Sequence, residues 1–375
     1  MDRIEYLAIA AATLLCSVVA VGQDSRQDSR QDYQIEIAAS GLDHPWSIAW
    51  LPDGRTLVTE RAGRLRMIVD GELLETQIGG LPDIYAASQG GLFEALPHPE
   101  FATNGLIYIS FAHGTPEANA TRVIRARLEG HRLTDREILF TASPMKDTPV
   151  HYGGRMTFLP DGTLLIGLGD GFDFREQAQS LDNHFGKIVR INADGSVPAD
   201  NPFINTEGAL PEIYSYGHRN VQGLLYDAES GRIWQHEHGP RGGDEINLIR
   251  PGENYGWPVA THGIDYSGAI VSPFETRPGM VDPLLVWTPS IAPSGMTLYR
   301  GELFPQWTGD LFVSALVARE LRRVEVVDGA PGEQHVLLAT PGERLRAVRA
   351  GPDGALYVLT DAEDGKVLRI SPKQP

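Results

Sequence analysis

The chain has 375 residues, 41 of them Gly and 26 Pro, with a single Cys and a formal net charge of −17. So much Gly and Pro without a collagen period, alongside 42% hydrophobic residues, excludes a helical bundle and a disordered chain and describes a folded protein full of tight turns. The acidity argues against nucleic acid and anionic headgroups as partners, because binding a phosphate backbone shows as a basic surface.

In chain order the first expected element is a targeting segment. Leu7 to Val21 is a 15-residue apolar run, shorter than the roughly 20 residues of a spanning helix, and Ala20-Val21-Gly22 supplies small residues for cleavage. Residues 1–22 therefore read as a secretory signal peptide, which places the product in the periplasm or outside the cell with no transmembrane domain in the mature chain. Asp2, Arg3 and Glu5 make the head of this segment less basic than usual, so an uncleaved anchor is the alternative. Cys16 leaves with the signal, and an exported chain without disulfides must rest on packing, with metal as an additional option. Residues 23–32 (QDSRQDSRQD) form a polar, low-complexity linker, and the folded domain is expected over residues 33–375.

From residue 33 onward the chain repeats. Six turn glycines (Gly54, Gly105, Gly162, Gly231, Gly309 and Gly354) are each followed three positions later by a large apolar residue: Leu57, Tyr108, Leu165, Trp234, Phe312 and Tyr357. One position further on stand Val58, Ile109, Ile166, Val313 and Val358, with Gln235 as the exception. The β-branched residues and the PDG, NG, SG and TG turns are strand and hairpin chemistry. Spacings of 51, 57, 69, 78 and 45 residues suit four-stranded blades with loops. The expected fold is all-β, a six-bladed β-propeller with extended loops on one face, the insertions falling in the 162–231 and 231–309 intervals.

The densest polar signals fall in or near those intervals, with others in the second and sixth repeats. Gln89-Gly-Gly-Leu92 stands in the second repeat. His151 stands just before the third repeat's first strand and Asp170 at the end of the next, and a neutral imidazole at a loop mouth is suited to act as a base. Arg219, Asn220 and Gln222 crowd guanidinium and amide donors beside Gly223, a pattern fit for an oxygen-rich planar ligand or a developing oxyanion. In His236-Glu-His-Gly-Pro-Arg-Gly-Gly-Asp-Glu245 two readings compete. His236 and His238 on one strand face suggest a transition metal, whereas the turn carbonyls with Asp244 and Glu245 offer hard oxygen donors for Ca²⁺, the reading preferred in an acidic exported chain. Arg344 and Arg346, at i and i+2 of an extended segment, project together and suit paired carboxylates.

The strings GLDHPWSIAWLPDG, QGGLFEALPHPEFATNGLIYISFA, SYGHRNVQGL, EHGPRGGDEINLIRPGENYGWP and SGMTLYRGELFPQWTGDLFVSAL resemble the glucose/sorbosone dehydrogenase family, within it the soluble PQQ-dependent aldose sugar dehydrogenases. The resemblance runs from about residue 35 to the C-terminus. It implies a periplasmic propeller that holds pyrroloquinoline quinone (PQQ) and Ca²⁺, oxidises the C1 hydroxyl of aldose sugars to lactones and passes electrons to an external acceptor, a cytochrome or a quinone. By motif, it implies His151 as the catalytic base, Asp170 as the acid that orients it, and Gln89, Arg219, Asn220, Tyr266, Ala315, Leu316, Arg344 and Arg346 around PQQ. The carbonyls of Gly239 and Pro240 are implied for the Ca²⁺ at PQQ, and Glu245 with the carbonyl of Tyr255 for a second, structural Ca²⁺. Two positions depart from the family pattern. Val317 stands where a Lys is usual, with Arg319 the nearest cation to replace it, and Val150 precedes the base where the glucose-oxidising branch has Asp. A calcium-dependent hydrolase of lactonase type and a non-catalytic carbohydrate-binding propeller are the alternatives.

Overall fold

The computed structural model describes residues 20–21, 26–27, 32–339 and 342–373. Apart from Ala20–Val21 and Arg26–Gln27, the expected signal peptide and most of the linker lie outside them. Those two short strands pair in parallel with Leu285–Trp287 and Ala330–Ala339. No helix among the described residues is long and apolar enough to cross a membrane.

Six sheets, each built on four antiparallel strands and two of them extended by the short parallel strands, make a six-bladed β-propeller, as expected. The innermost strands are Pro45–Trp50, Leu92–Pro97, Gly153–Phe158, Val221–Asp227, Pro293–Leu298 and Leu345–Ala350, and they pack against one another in a closed ring. Blade 6 takes its outer strand from the start of the domain: Tyr33–Leu42 pairs with Gly365–Pro372, so the two ends of the fold are hydrogen-bonded together. Each of the six repeat glycines lies in the turn between the first and second strand of a blade. At Gly54 and Gly162 an added Cβ would meet nothing within 4 Å, while φ is +90° and +80°. Left-handed backbone, not crowding, therefore selects glycine there.

The two positions after each glycine explain how the blades stack. Successive side chains of a strand point to opposite faces, so the residue at glycine plus three enters the core with the following blade and its neighbour the core with the preceding one. Leu57 packs between blades 1 and 2, Val58 between blades 6 and 1. Tyr108 and Ile109, Leu165 and Ile166, and Phe312 and Val313 divide in the same way. One apolar cluster thus fills each gap between blades. In blade 4 the backward-facing position is Gln235, fully buried and bonded to Glu237 and Asn247. The long intervals carry the insertions, residues 169–186 in blade 3 and 250–284 in blade 4, and both reach over the same end of the ring.

Candidate active site

At that end the chain is held in strained backbone. His151 enters the innermost strand of blade 3 with φ +53° and Phe172 follows Asp170 with φ +70°, costly conformations for bulky residues that tertiary structure must impose. The His151 N–H donates to Gln89 Oε1 at 2.9 Å, which ties this residue to the loop before blade 2. His151 Nδ1 lies 2.7 Å from Asp170 Oδ1. The same carboxylate accepts from the Phe172 N–H at 2.8 Å and from Trp257 Nε1 at 2.8 Å. Burial works against ionisation of Asp170, but His151, Arg219 and the Phe172 N–H outweigh it and hold the carboxyl below its usual range. Burial pushes His151 down from the ordinary imidazole value despite the opposing aspartate. Near neutral pH the imidazole is therefore uncharged, gives its Nδ1 hydrogen to Asp170, and keeps Nε2 as an acceptor.

Arg219 is fixed beside this pair. Its Nη1 donates to the carbonyls of Gly239 at 2.6 Å and His238 at 3.1 Å, and Nη2 reaches the Tyr266 hydroxyl at 3.5 Å. The guanidinium stands over the rings of Trp257 and Tyr266, 5.3 and 5.8 Å from their centroids. His238, partly buried and held well below the usual imidazole range chiefly by desolvation, donates Nε2–H to Pro293 O.

These groups line two adjoining cavities. One of about 280 Å³ is walled by His151, Asp170, Phe172, Arg219, Trp257 and Tyr266. The other, about 170 Å³, is walled by Gln89, Asn220, Leu316, Val317, Arg344 and Arg346, with Arg61. Consecutive residues divide between them: His151 faces the first and Tyr152 the second, Arg219 the first and Asn220 the second. Gly239 and Pro240 border a wider hollow of about 690 Å³ that shares Tyr266 with the first cavity and Val317 with the second. Of the expected residues, then, His151, Asp170, Arg219, Tyr266, Gln89, Asn220, Leu316, Arg344 and Arg346 converge. Ala315 does not: its side chain is in the core between blades 4 and 5, leaving only its backbone to face a ligand. Arg319 is exposed and absent from both linings, so it does not stand in for a cation at Val317.

Glu245 and Tyr255 belong to a separate polar cluster between blades 3 and 4. Glu237 and Glu245 sit directly opposite each other on adjacent strands, both buried. Burial first, then the charge of Glu237, pushes Glu245 well above the usual carboxylate range. Asn247 donates to Gln235 and Glu245, while its Oδ1 is buried with no hydrogen-bond partner among the described residues. His218 bridges Ser215 and Glu237, and the Tyr255 ring stacks on it. Two opposed carboxylates beside an orphaned amide oxygen are hard donors that fit a Ca²⁺ ion. In the transition-metal reading, His236 is buried with both ring nitrogens unpartnered among the described residues, but no set of ligands gathers around it. Among the described residues, three converging His or carboxylate ligands occur at Glu325, Glu333 and His335 on the outside of blade 5, not at His236 and His238.

Trp257, Phe172, Arg61 and Asp361 were given no role by the sequence. Trp257 stands 87 residues from its aspartate, a distance across which spacing carries no signal, although its string NYGWP is distinctive.

Residues 42–369 match the Glucose / Sorbosone dehydrogenase family. The chain belongs to that family. It is 42% identical over 345 residues to the aldose sugar dehydrogenase YliI of Escherichia coli, with 90% of this chain and 93% of that one covered. The crystal structure of the soluble aldose sugar dehydrogenase from Escherichia coli, in the apo-form, superposes with a TM-score of 0.88 at 41% identity, covering 91% of this chain and all of the other. A PQQ-bound aldose sugar dehydrogenase from Streptomyces coelicolor superposes with a TM-score of 0.75 at 28% identity, over 91% and 99% of the two chains. Membership gives the two cavities a frame: in a glucose/sorbosone dehydrogenase, the pair His151–Asp170 and the Arg-lined recess beside it lie together on one face of the ring.

Proposed function

We propose that this family member is a PQQ- and Ca²⁺-dependent aldose sugar dehydrogenase that oxidises the C1 hydroxyl to the lactone and hands electrons to an external cytochrome or quinone. The carrying observation is the neutral, oriented His151, whose Nε2 faces a cavity beside Arg219 and next to a recess lined with arginines. The residues fit the cofactor: among the described residues, the buried Arg346 has an unpartnered Nε, and the guanidinium groups of Arg344 and Arg346 share only Asp361 between them. PQQ, when bound, supplies the two-electron acceptor, and the carbonyls of Gly239 and Pro240 would hold the Ca²⁺ at it. Gly239 already accepts from Arg219, which leaves its second lone pair for the ion.

The protein's own part is positional and electrostatic. His151 Nε2 takes the C1 hydroxyl proton, and the Asp170 carboxylate stabilises the imidazolium that results. Trp257 and Phe172 N–H keep that carboxylate ionised and aimed. Arg219 places fixed positive charge where negative charge develops, at no reorganisation cost because its partners already hold it. Phe172 and Tyr266, near-parallel with centroids 6.3 Å apart, form an apolar wall for the sugar and limit water at the base. The apolar run at residues 7–21 supports export to the periplasm or medium.

Adding PQQ and Ca²⁺ to the metal-free apo-protein and following dye reduction with aldoses tests this, with lactone hydrolysis in the absence of PQQ run alongside. No dye reduction at saturating PQQ overturns the reading. The acid limb of kcat/KM should fall below pH 6.5, because His151 must be neutral and its pKa lies under the ordinary value. Asp170→Asn should lower kcat by about 10²- to 10⁴-fold. It should also move the acid limb lower still, since the aspartate's charge is what holds the imidazole pKa up. A limb moving upward in this variant would contradict the assignment.

A further inference from the structure

Arg61 follows the second strand of blade 1, Thr56–Glu60, and looks into the recess that Arg344 and Arg346 of blade 6 approach from the other side. Its backbone is pinned: the N–H donates to His44 O at 3.1 Å and the carbonyl accepts from Leu92 N at 3.0 Å. The side chain is packed as well. A Cβ on Gly91 would stand 2.1 Å from Arg61 O and 2.7 Å from Arg61 Cγ, so the second glycine of Gln89-Gly-Gly is what lets the arginine lie where it does. Yet the partly buried guanidinium makes no ion pair or hydrogen bond among the described residues, in a chain with a net charge of −17. Arg344 and Arg346, by contrast, both bond Asp361. The recess therefore holds three guanidinium groups against one carboxylate, and Arg61 is close enough to act on the charges of Arg346 and Asp361. Like charges gathered in a partly dehydrated recess are unfavourable until an anion joins them. On the same wall Val317 is exposed and brings no charge.

We propose that Arg61 is the third cationic contact of this recess and binds a carboxylate of the cofactor, completing from blade 1 the grip that Arg344 and Arg346 make from blade 6. This rests on the reading that PQQ occupies the site. Because guanidinium and carboxylate meet as a fork, the contact needs geometry as well as charge.

The test is PQQ binding to the apo-protein without sugar, read by quenching of tryptophan fluorescence. Arg61→Met keeps a stem to pack against Gly91 and should weaken PQQ about 10- to 100-fold, the loss of one hydrogen-bonded charge pair. Arg61→Lys should fall between the two. With the trimethyl ester of PQQ, which carries no carboxylates, wild type and Arg61→Met should bind alike. The apo Arg61→Met protein should melt no lower than wild type, since it removes a like charge from the recess. If wild type fails to bind PQQ, the functional reading fails. If wild type binds and Arg61→Met binds equally well, or loses affinity for acid and ester alike, this inference fails while that reading stands.

Discussion

Replacing His151 with Ala should lower kcat for aldose oxidation by about 10²- to 10⁴-fold, the range that a positioned general base supplies, while PQQ affinity changes little. The two effects separate because the imidazole faces the cavity of Arg219 and Trp257, whereas the arginines line the neighbouring recess. What positions the base is also independent of its ring: the His151 N–H bond to Gln89 survives the substitution. The backbone at φ +53° would be a little less comfortable for Ala than in an extended segment, but the wild type already bears that cost. Single-turnover dye reduction against fluorescence-detected PQQ titration distinguishes the outcomes. Loss of turnover together with loss of PQQ binding would make His151 structural and remove it from the chemistry.

The propeller was legible in the sequence because its periodicity is physical. The turn after each innermost strand needs left-handed backbone, which marks a glycine, and the next strand must bury both faces, which marks two apolar residues in a row. The one break in that rule, Gln235, also carried information. It faces the polar cluster of Glu237, Glu245 and Asn247, where an apolar residue would have removed one donor to Glu237 and the acceptor of the Asn247 amide. His151 and Asp170 were legible as polar residues at strand ends beside glycine-rich turns, while their roles as base and orienting acid came only from the family resemblance. Trp257 and Arg61 were not. Arg61 is placed by ring closure, which sets blade 1 beside blade 6, and Trp257 by the blade 4 insertion folding back over Asp170 of blade 3, and nothing local in either stretch records those meetings. Arg319 shows the converse, since nearness in sequence to Val317 put it in view although it points away from the recess.

Ca²⁺ should raise the melting temperature of the PQQ-free protein, and Glu245→Gln should abolish that rise while itself raising the melting temperature without metal. The two signs follow from one arrangement. Glu237 and Glu245 face each other in a buried cluster, so two negative charges there are costly, and the pair retains a proton to higher pH than free carboxyls do. Unfolded glutamate ionises near its usual value. Between that value and the raised folded one, the folded state holds more protons than the unfolded state, so metal-free stability falls as pH rises through this window. Gln at position 245 removes the second charge and with it that slope. A divalent ion offsets both carboxylates and engages the unpartnered Asn247 Oδ1, but only if Glu245 is there to donate. At a hundredfold excess over Kd the ion contributes about 2.7 kcal/mol, which for a domain of this size corresponds to a shift of about 4 °C. Thermal melts of both proteins at pH 5 and pH 8, with Ca²⁺ and with chelator, read all of these effects together. An equal Ca²⁺ shift in wild type and Glu245→Gln would move the ion away from this cluster, and a metal-free variant less stable than wild type at pH 8 would mean that Glu245 is held by hydrogen bonds rather than by a cation.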